Sequence, residues 1–253
     1  MLPEIQIGPL SLKTFGLAFG LAFVACGAVV ARRLREIGKP VDWAYEIIFA
    51  ALVGGIVGAR LYWIVDNWDK AQGDLLGSIF SGSGLTWFGG ALGGALAVLA
   101  WARWRNWLGL QLLDTAAPAL AIGYAIGRVG CQVSGDGDYG KPTDMPWGMA
   151  YPDGVVPTDE KVHPTPIFET LAMGLVALLL WHLRDALRPG ALFALYLLLA
   201  GLERFLIEFL RRNDAVLLGL TEAQLISLVM LGAGAIWLGV LARRPGGLRA
   251  VSA

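Results

Sequence analysis

The sequence predicts an all-α, polytopic membrane protein: seven transmembrane helices, the N-terminus outside and the C-terminus in the cytoplasm. Three observations predict it. The chain of 253 residues is 56% hydrophobic and only 16% charged, where a soluble domain carries about a quarter charged residues. Seven apolar stretches approach the roughly 20 residues that a spanning helix needs. The basic residues also fall unevenly between alternate loops.

The spans read in order as Leu10–Ala31, Ala44–Val65, Leu85–Ala102, Leu112–Cys131, Ile167–Leu183, Ala191–Leu210 and Glu222–Leu241. The first begins with the outline of a lipoprotein leader, in which Lys13 and an apolar run lead to Cys26. The apolar run continues to Ala31, however, and Arg32, Arg33 and Arg35 follow it as an anchor, so the segment predicts a helix and not a cleaved leader. The third and fifth spans are short, so they borrow flanking residues or cross a thinned bilayer. Pairs such as Gly16/Gly20, Gly54/Gly58, Gly89/Gly93, Gly90/Gly94 and Gly123/Gly127 have the small-xxx-small spacing that lets helices approach closely.

Charge orients the bundle. After the first, third, fifth and seventh spans stand Arg32, Arg33, Arg35, Lys39, Arg103, Arg105, Arg184, Arg188, Arg243, Arg244 and Arg249, which is 11 of the 20 basic residues. The opposite loops hold five, and the rest lie within or at the ends of spans. The positive-inside rule places the 11 in the cytoplasm. The chain reads as one membrane-embedded domain, 1–253, with an ordered extracytoplasmic cap over 132–165 and a cytoplasmic tail over 243–253. The equal numbers of basic and acidic residues, 20 each, give no pull toward nucleic acid.

Arginine within spans is the main clue to chemistry. A guanidinium at membrane depth costs about 2.5–3.5 kcal/mol on insertion scales unless it meets a partner or a wet cavity. Arg128 ends the fourth span, Arg204 lies inside the sixth, and Arg60 lies near the outer end of the second. Their natural common ligand in a bilayer is lipid phosphate. Arg204 and Glu208 are four residues apart and share a helix face, with Arg211 at the outer mouth. Glu169 lies about one turn inside the fifth span, where a carboxylate must be protonated or paired. Pairing with Arg128 or Arg204 is the expectation. Arg60, Arg128, Glu169, Arg204 and Glu208 all map to the outer half of their helices, as if lining one cavity.

The run from Gly135 to Gly140 has the letters of a dinucleotide fingerprint, but no strand precedes it and its two aspartates would repel a pyrophosphate. Its glycines instead permit a sharp turn, in which Asp136 and Asp138 either cap turns or hold an arginine. No metal or other cofactor is implied: no His, Cys and carboxylate residues show ligand spacing, and Cys26 and Cys131 form no framework.

These residues resemble the prolipoprotein diacylglyceryl transferases of bacteria. The resemblance runs from Ile7-Gly-Pro9 to Leu220-Thr-Glu-Ala-Gln-Leu-Ile-Ser227. Its strongest element is Gly127-Arg-Val-Gly130 with Gly135, Asp136 and Gly140. Supporting matches are Gly58-Ala-Arg60, Gly89-Gly90, Asp114 with Ala117-Pro118, His163-Pro164 with Glu169, and Gly201-Leu-Glu-Arg-Phe-Leu-Ile-Glu-Phe-Leu-Arg211.

The resemblance implies a seven-helix enzyme of the bacterial inner (plasma) membrane. Such an enzyme moves the diacylglyceryl group of phosphatidylglycerol to the lipobox cysteine of a prolipoprotein signal peptide and releases glycerol-1-phosphate, among membrane lipids and without a cofactor. It implies Arg128 and Arg204 as the catalytic pair. Arg128, Arg60, Gly127, Asp136, Glu169, Glu208 and Arg211 would form the phosphatidylglycerol site. The chain departs from the family at three positions: Phe88 where many members have His or Tyr, Phe15 where Tyr is common, and Cys131 where Asn is common. Phe88 removes a base on the third span and leaves His163 or solvent to take the thiol proton. The same departures keep open a paralogue with another acceptor, or a phospholipid-binding protein without chemistry.

Overall fold

The computed structural model describes residues 1–74, 77 and 86–249. The expected start of the third span at Leu85, with the preceding Gly82-Ser-Gly, and the last four residues of the tail lie outside the described residues. Among the described residues are seven helices of 17 to 25 residues: α1 (Thr14–Glu36), α2 (Trp43–Asp66), α3 (Trp87–Trp104), α4 (Leu110–Ser134), α5 (Thr165–Leu183), α6 (Ala191–Ile207) and α7 (Glu222–Ala242). Five of them, α1, α2, α4, α5 and α7, are long and apolar enough to cross a membrane. Their outward faces carry large apolar side chains such as Val24, Phe49, Leu175 and Val229. A helix that is apolar all round suits a bilayer.

The first helix starts four residues later than the sequence predicts. Leu10–Lys13 instead forms β2, paired antiparallel with β1 (Glu4–Ile7). Thr14 then opens α1, its hydroxyl donating to the carbonyls of Leu2 and Pro3. The sixth expected span is likewise divided. Its α-helix stops at Ile207, and Glu208–Leu210 tightens into a 3-10 turn, a common way to end a helix. A second hairpin, β3 (Met149–Tyr151) with β4 (Thr158–Val162), orders the long 132–165 connection around stacked Tyr139 and Tyr151. Gly135 makes the turn into this connection at φ +60°, and a Cβ there would lie 2.7 Å from Cα of Gly154.

The chain forms two compact units. One comprises residues 30–112, the other residues 1–29 and 113–253. In the 30–112 unit, α2 packs on α3 through Gly54, Gly58, Gly89 and Gly93, where a Cβ would strike the facing backbone. One end is closed by Trp43, Trp101 and Trp107, ring against ring. Glu46 there accepts from Trp101 and pairs with Arg105.

In the other unit, α4, α5 and α6 share a core of small and medium side chains, among them Ala117, Ala121, Met173, Leu180 and Ala200. Asp114 accepts the Gly190 and Phe193 backbone N–H groups at 2.6 and 2.9 Å and so fixes the start of α6; helix starts leave such donors orphaned. Thr221 and Gln224 form a reciprocal capping box at the start of α7. The spacing of Gly16 and Gly20 does not translate into packing within the chain, since a Cβ at either would meet nothing within 4 Å.

Candidate active site

The site lies in the unit of residues 1–29 and 113–253 and is built on Glu169. This residue sits one turn into α5, after Pro164 and Pro166 have set the helix start, and its side chain is fully buried. Oε1 of Glu169 accepts from the Tyr124 hydroxyl at 2.7 Å and Arg204 Nη1 at 3.0 Å, and pairs with Arg128 Nη2 at 3.2 Å. Oε2 faces Arg211 Nη1 at 3.5 Å. Such contacts offset a desolvation that would otherwise forbid a carboxylate here.

Arg128 projects from the last turns of α4 and meets Tyr124, Glu169 and Asp138. It lies over the ring of Tyr124, one helical turn earlier, with its carbon 4.9 Å from the ring centroid. It takes the Tyr124 oxygen at 3.0 Å, pairs with Glu169, and pairs closely with Asp138. Arg204, from α6, joins Glu169 to Oε2 of Glu208, both at 3.0 Å. Arg211 follows the 3-10 turn and closes the far side, its Nη2 2.6 Å from Asp138 Oδ1. Three guanidinium groups thus face three carboxylates, Asp138, Glu169 and Glu208, brought together from α4, α5, α6 with the 3-10 turn that follows it, and the loop after α4.

Asp138 lies outside the spanning segments. Burial alone would raise its carboxyl, but Arg128 and Arg211 outweigh burial and hold it below its ordinary value. Asp136 plays the other part that the sequence left open: it accepts the Asp138 backbone N–H at 3.2 Å and so shapes the turn. Arg212 steadies the same loop by donating to the Gly140 carbonyl at 2.8 Å and lying over Tyr139.

Of the residues singled out in the sequence, Arg128, Glu169, Arg204, Glu208 and Arg211 come together. Gly127 precedes Arg128 on α4, where a Cβ would meet nothing within 4 Å. His163 stands apart from the charge cluster. It accepts at Nδ1 from Trp147 at 3.4 Å and lines a cavity of about 650 Å³ with Met145, Trp147, Phe168 and Leu210. Arg60 belongs to the 30–112 unit, buried over the ring of Trp63.

Sequence reasoning missed Tyr124, although its position four residues before Arg128 put it on the same face. It left Asp138 between two parts, because loop spacing does not fix where a side chain points. Cys131, Asp136 and Asp138 bring potential ligand atoms within 4.8 Å of one another, a grouping that the sequence does not announce. The adjoining guanidinium groups of Arg128 and Arg211 disfavour a cation there.

Fold and site define a helical, multi-pass membrane protein whose buried centre holds arginine donors of the kind that bind phosphate bidentately. The family model described as prolipoprotein diacylglyceryl transferase matches residues 4–240, and the chain belongs to that family. It is 33% identical over 247 residues to the phosphatidylglycerol–prolipoprotein diacylglyceryl transferase of Gloeobacter violaceus, covering 92% of this chain and 90% of that protein. The enzyme of the same name from Finegoldia magna is 34% identical over 218 residues, with 84% and 85% covered. That of Clostridium tetani is 30% identical over 206 residues, with 80% and 82% covered.

Proposed function

We propose that this protein transfers the diacylglyceryl group of phosphatidylglycerol to the lipobox cysteine thiol of prolipoproteins and releases glycerol-1-phosphate, the first step of lipoprotein maturation. One observation carries the reading: two arginines from different helices, Arg128 and Arg204, are held on a single buried carboxylate oxygen. That arrangement presets two permanent cations at one point, where negative charge grows on a departing phosphate. Cations fixed in a water-poor site stabilise such charge far better than water does, because nothing need reorganise.

In the reaction, the thiol sulfur forms a bond to the glyceryl carbon that bears the phosphate ester. The bond from that carbon to oxygen breaks, and the electron pair leaves on glycerol-1-phosphate. Arg128 holds the lipid phosphate and Arg204 stabilises it as it departs. Glu169 and Glu208 position the arginines, and Arg211 and Asp136 complete the walls. Gly127 belongs to the same binding surface in this reading, and Arg60 is proposed to bind phosphatidylglycerol as well.

All seven helices span the bacterial inner membrane, with the N-terminus outside and 132–165 forming a cap on the outer side. The surplus of arginine and lysine after α1, α3, α5 and α7 supports that orientation. The test is transfer from labelled phosphatidylglycerol to a lipobox peptide by the purified protein, beside Arg128→Ala and Arg204→Ala. Transfer that requires both arginines is expected. A folded, lipid-binding wild type that transfers nothing contradicts the reading.

A further inference from the structure

The attacking thiol must lose a proton, and the charge cluster offers no free base, since Asp138, Glu169 and Glu208 all hold arginines. A fourth carboxylate stands beside them. Glu203 precedes Arg204 on α6, so the two side chains leave the helix about 100° apart. Arg204 turns toward Glu169. Glu203 instead lines a cavity of about 390 Å³ between α5 and α6, walled by Phe168, Val176, Leu199, Leu206 and Leu210, and among the described residues it is the only ionisable one there. Its Oε1 is buried and accepts no hydrogen bond among the described residues. A carboxylate kept merely to brace an arginine would be expected to hold one. A buried oxygen without a donor is costly, and such an atom beside a cavity is poised to accept a proton from what enters it.

We propose that Glu203 is the base that takes the proton from the acceptor thiol, an inference that rests on the transfer reaction proposed above. The reacting carbon lies between the phosphate on the arginine side of α6 and a thiol approaching from the cavity side, which suits in-line displacement. As sulfur bonds to carbon, its proton passes to Oε1 of Glu203. The carbon–oxygen bond breaks, and the electron pair leaves on the phosphate. Glu203 then gives the proton to water. The groups that set its charge are Tyr124 and Arg128 of α4, Glu169 of α5, Tyr196 and Arg204 of its own helix, and Arg211 beyond it.

The experiment is a pH profile of transfer from phosphatidylglycerol to a lipobox peptide in liposomes, comparing wild type with Glu203→Gln, Glu203→Asp and His163→Ala. An ordinary thiol with a pKa near 8.5 is only a few per cent ionised at neutrality. Glu203→Gln should therefore lose about 30-fold in turnover at neutral pH, with KM for phosphatidylglycerol unchanged. The loss should shrink to about threefold or less once the medium itself ionises the thiol. Glu203→Asp should recover part of the neutral rate.

Wild-type turnover by Glu203→Gln at neutral pH overturns the proposal. So does an equal loss at every pH, which marks a structural role, or alkaline rescue seen in His163→Ala instead of Glu203→Gln. Absence of transfer by the wild type is a different result: it overturns the proposed function beneath the proposal, and the proposal with it.

Discussion

Arg128 and Arg204 both pair with the same atom, Oε1 of Glu169, although one comes from α4 and the other from α6. Neither arginine is positioned by its own helix alone. Glu169 sets the spacing of the two cations, and Asp138 and Glu208 set their tilt. The site is therefore rigid before any anion arrives, as electrostatic catalysis requires.

Glu169→Gln should accordingly damage both fold and activity. Removing one member of a buried ion pair typically costs about 3–5 kcal/mol, because the remaining charge stays buried and unpaired. We expect a lower unfolding temperature in detergent and at least about 100-fold less transfer. An unchanged melting curve would show that the arginines find other partners.

Arg128→Lys should also fail, for a geometric reason. The guanidinium contacts Asp138, Tyr124 and Glu169 at once and lies over a ring, whereas an ammonium is a point charge that cannot reproduce a planar fork. The expected result is loss of most turnover with normal membrane insertion. Turnover equal to wild type would remove Arg128 from its role.

Acid should open the loop side of the site. The Asp138 carboxyl is held below its ordinary value because Arg128 and Arg211 outweigh its burial. The stabilisation it supplies is complete above the ordinary carboxylate pKa and is lost as pH falls through the depressed value. Thermal stability should be flat near neutrality and decline in acid. In Asp138→Asn that part of the acid decline should vanish, with a lower plateau. Melting temperatures measured from neutral pH downward check both points.

The 30–112 unit offers an independent test of packing. At Gly58 a Cβ would strike the Gly89 carbonyl and lie 2.7 Å from Cα of Gly93. Gly58→Ala should cost about 1–3 kcal/mol, in line with overpacking elsewhere. The comparison is Gly16→Ala, which meets nothing and should leave unfolding in detergent unchanged.

Much of the fold was legible because apolar length and arginine placement are strong signals. Each of the seven expected stretches falls largely on a helix among the described residues, and five of those helices are long and apolar enough to cross a membrane. The exceptions have local causes. Leu10–Lys13 pairs with Glu4–Ile7 as a strand, and Glu208–Leu210 tightens into a 3-10 turn where Glu208 pairs with Arg204 and Arg211.

Within the site, Glu169 and Glu208 were legible because a carboxylate at membrane depth needs a partner, and helix spacing supplied one for Glu208. Asp138 was not, since a glycine-rich turn gives no periodicity from which to aim a side chain. Glu203 entered the sequence reading only as one residue of the Gly201–Arg211 match. Its distinction from Glu208 lies in which way α6 turns, and only packing against α5 reveals that.

The most direct measurement is mass spectrometry of both products made from phosphatidylglycerol carrying heavy oxygen in the bridge between glyceryl carbon and phosphorus. Attack at carbon, with the arginines holding the leaving phosphate, predicts a thioether-linked diacylglyceryl peptide without label and glycerol-1-phosphate that keeps it, neither formed by Arg128→Ala or Arg204→Ala. Heavy oxygen in the peptide, or undiminished product from both arginine variants, would contradict the account.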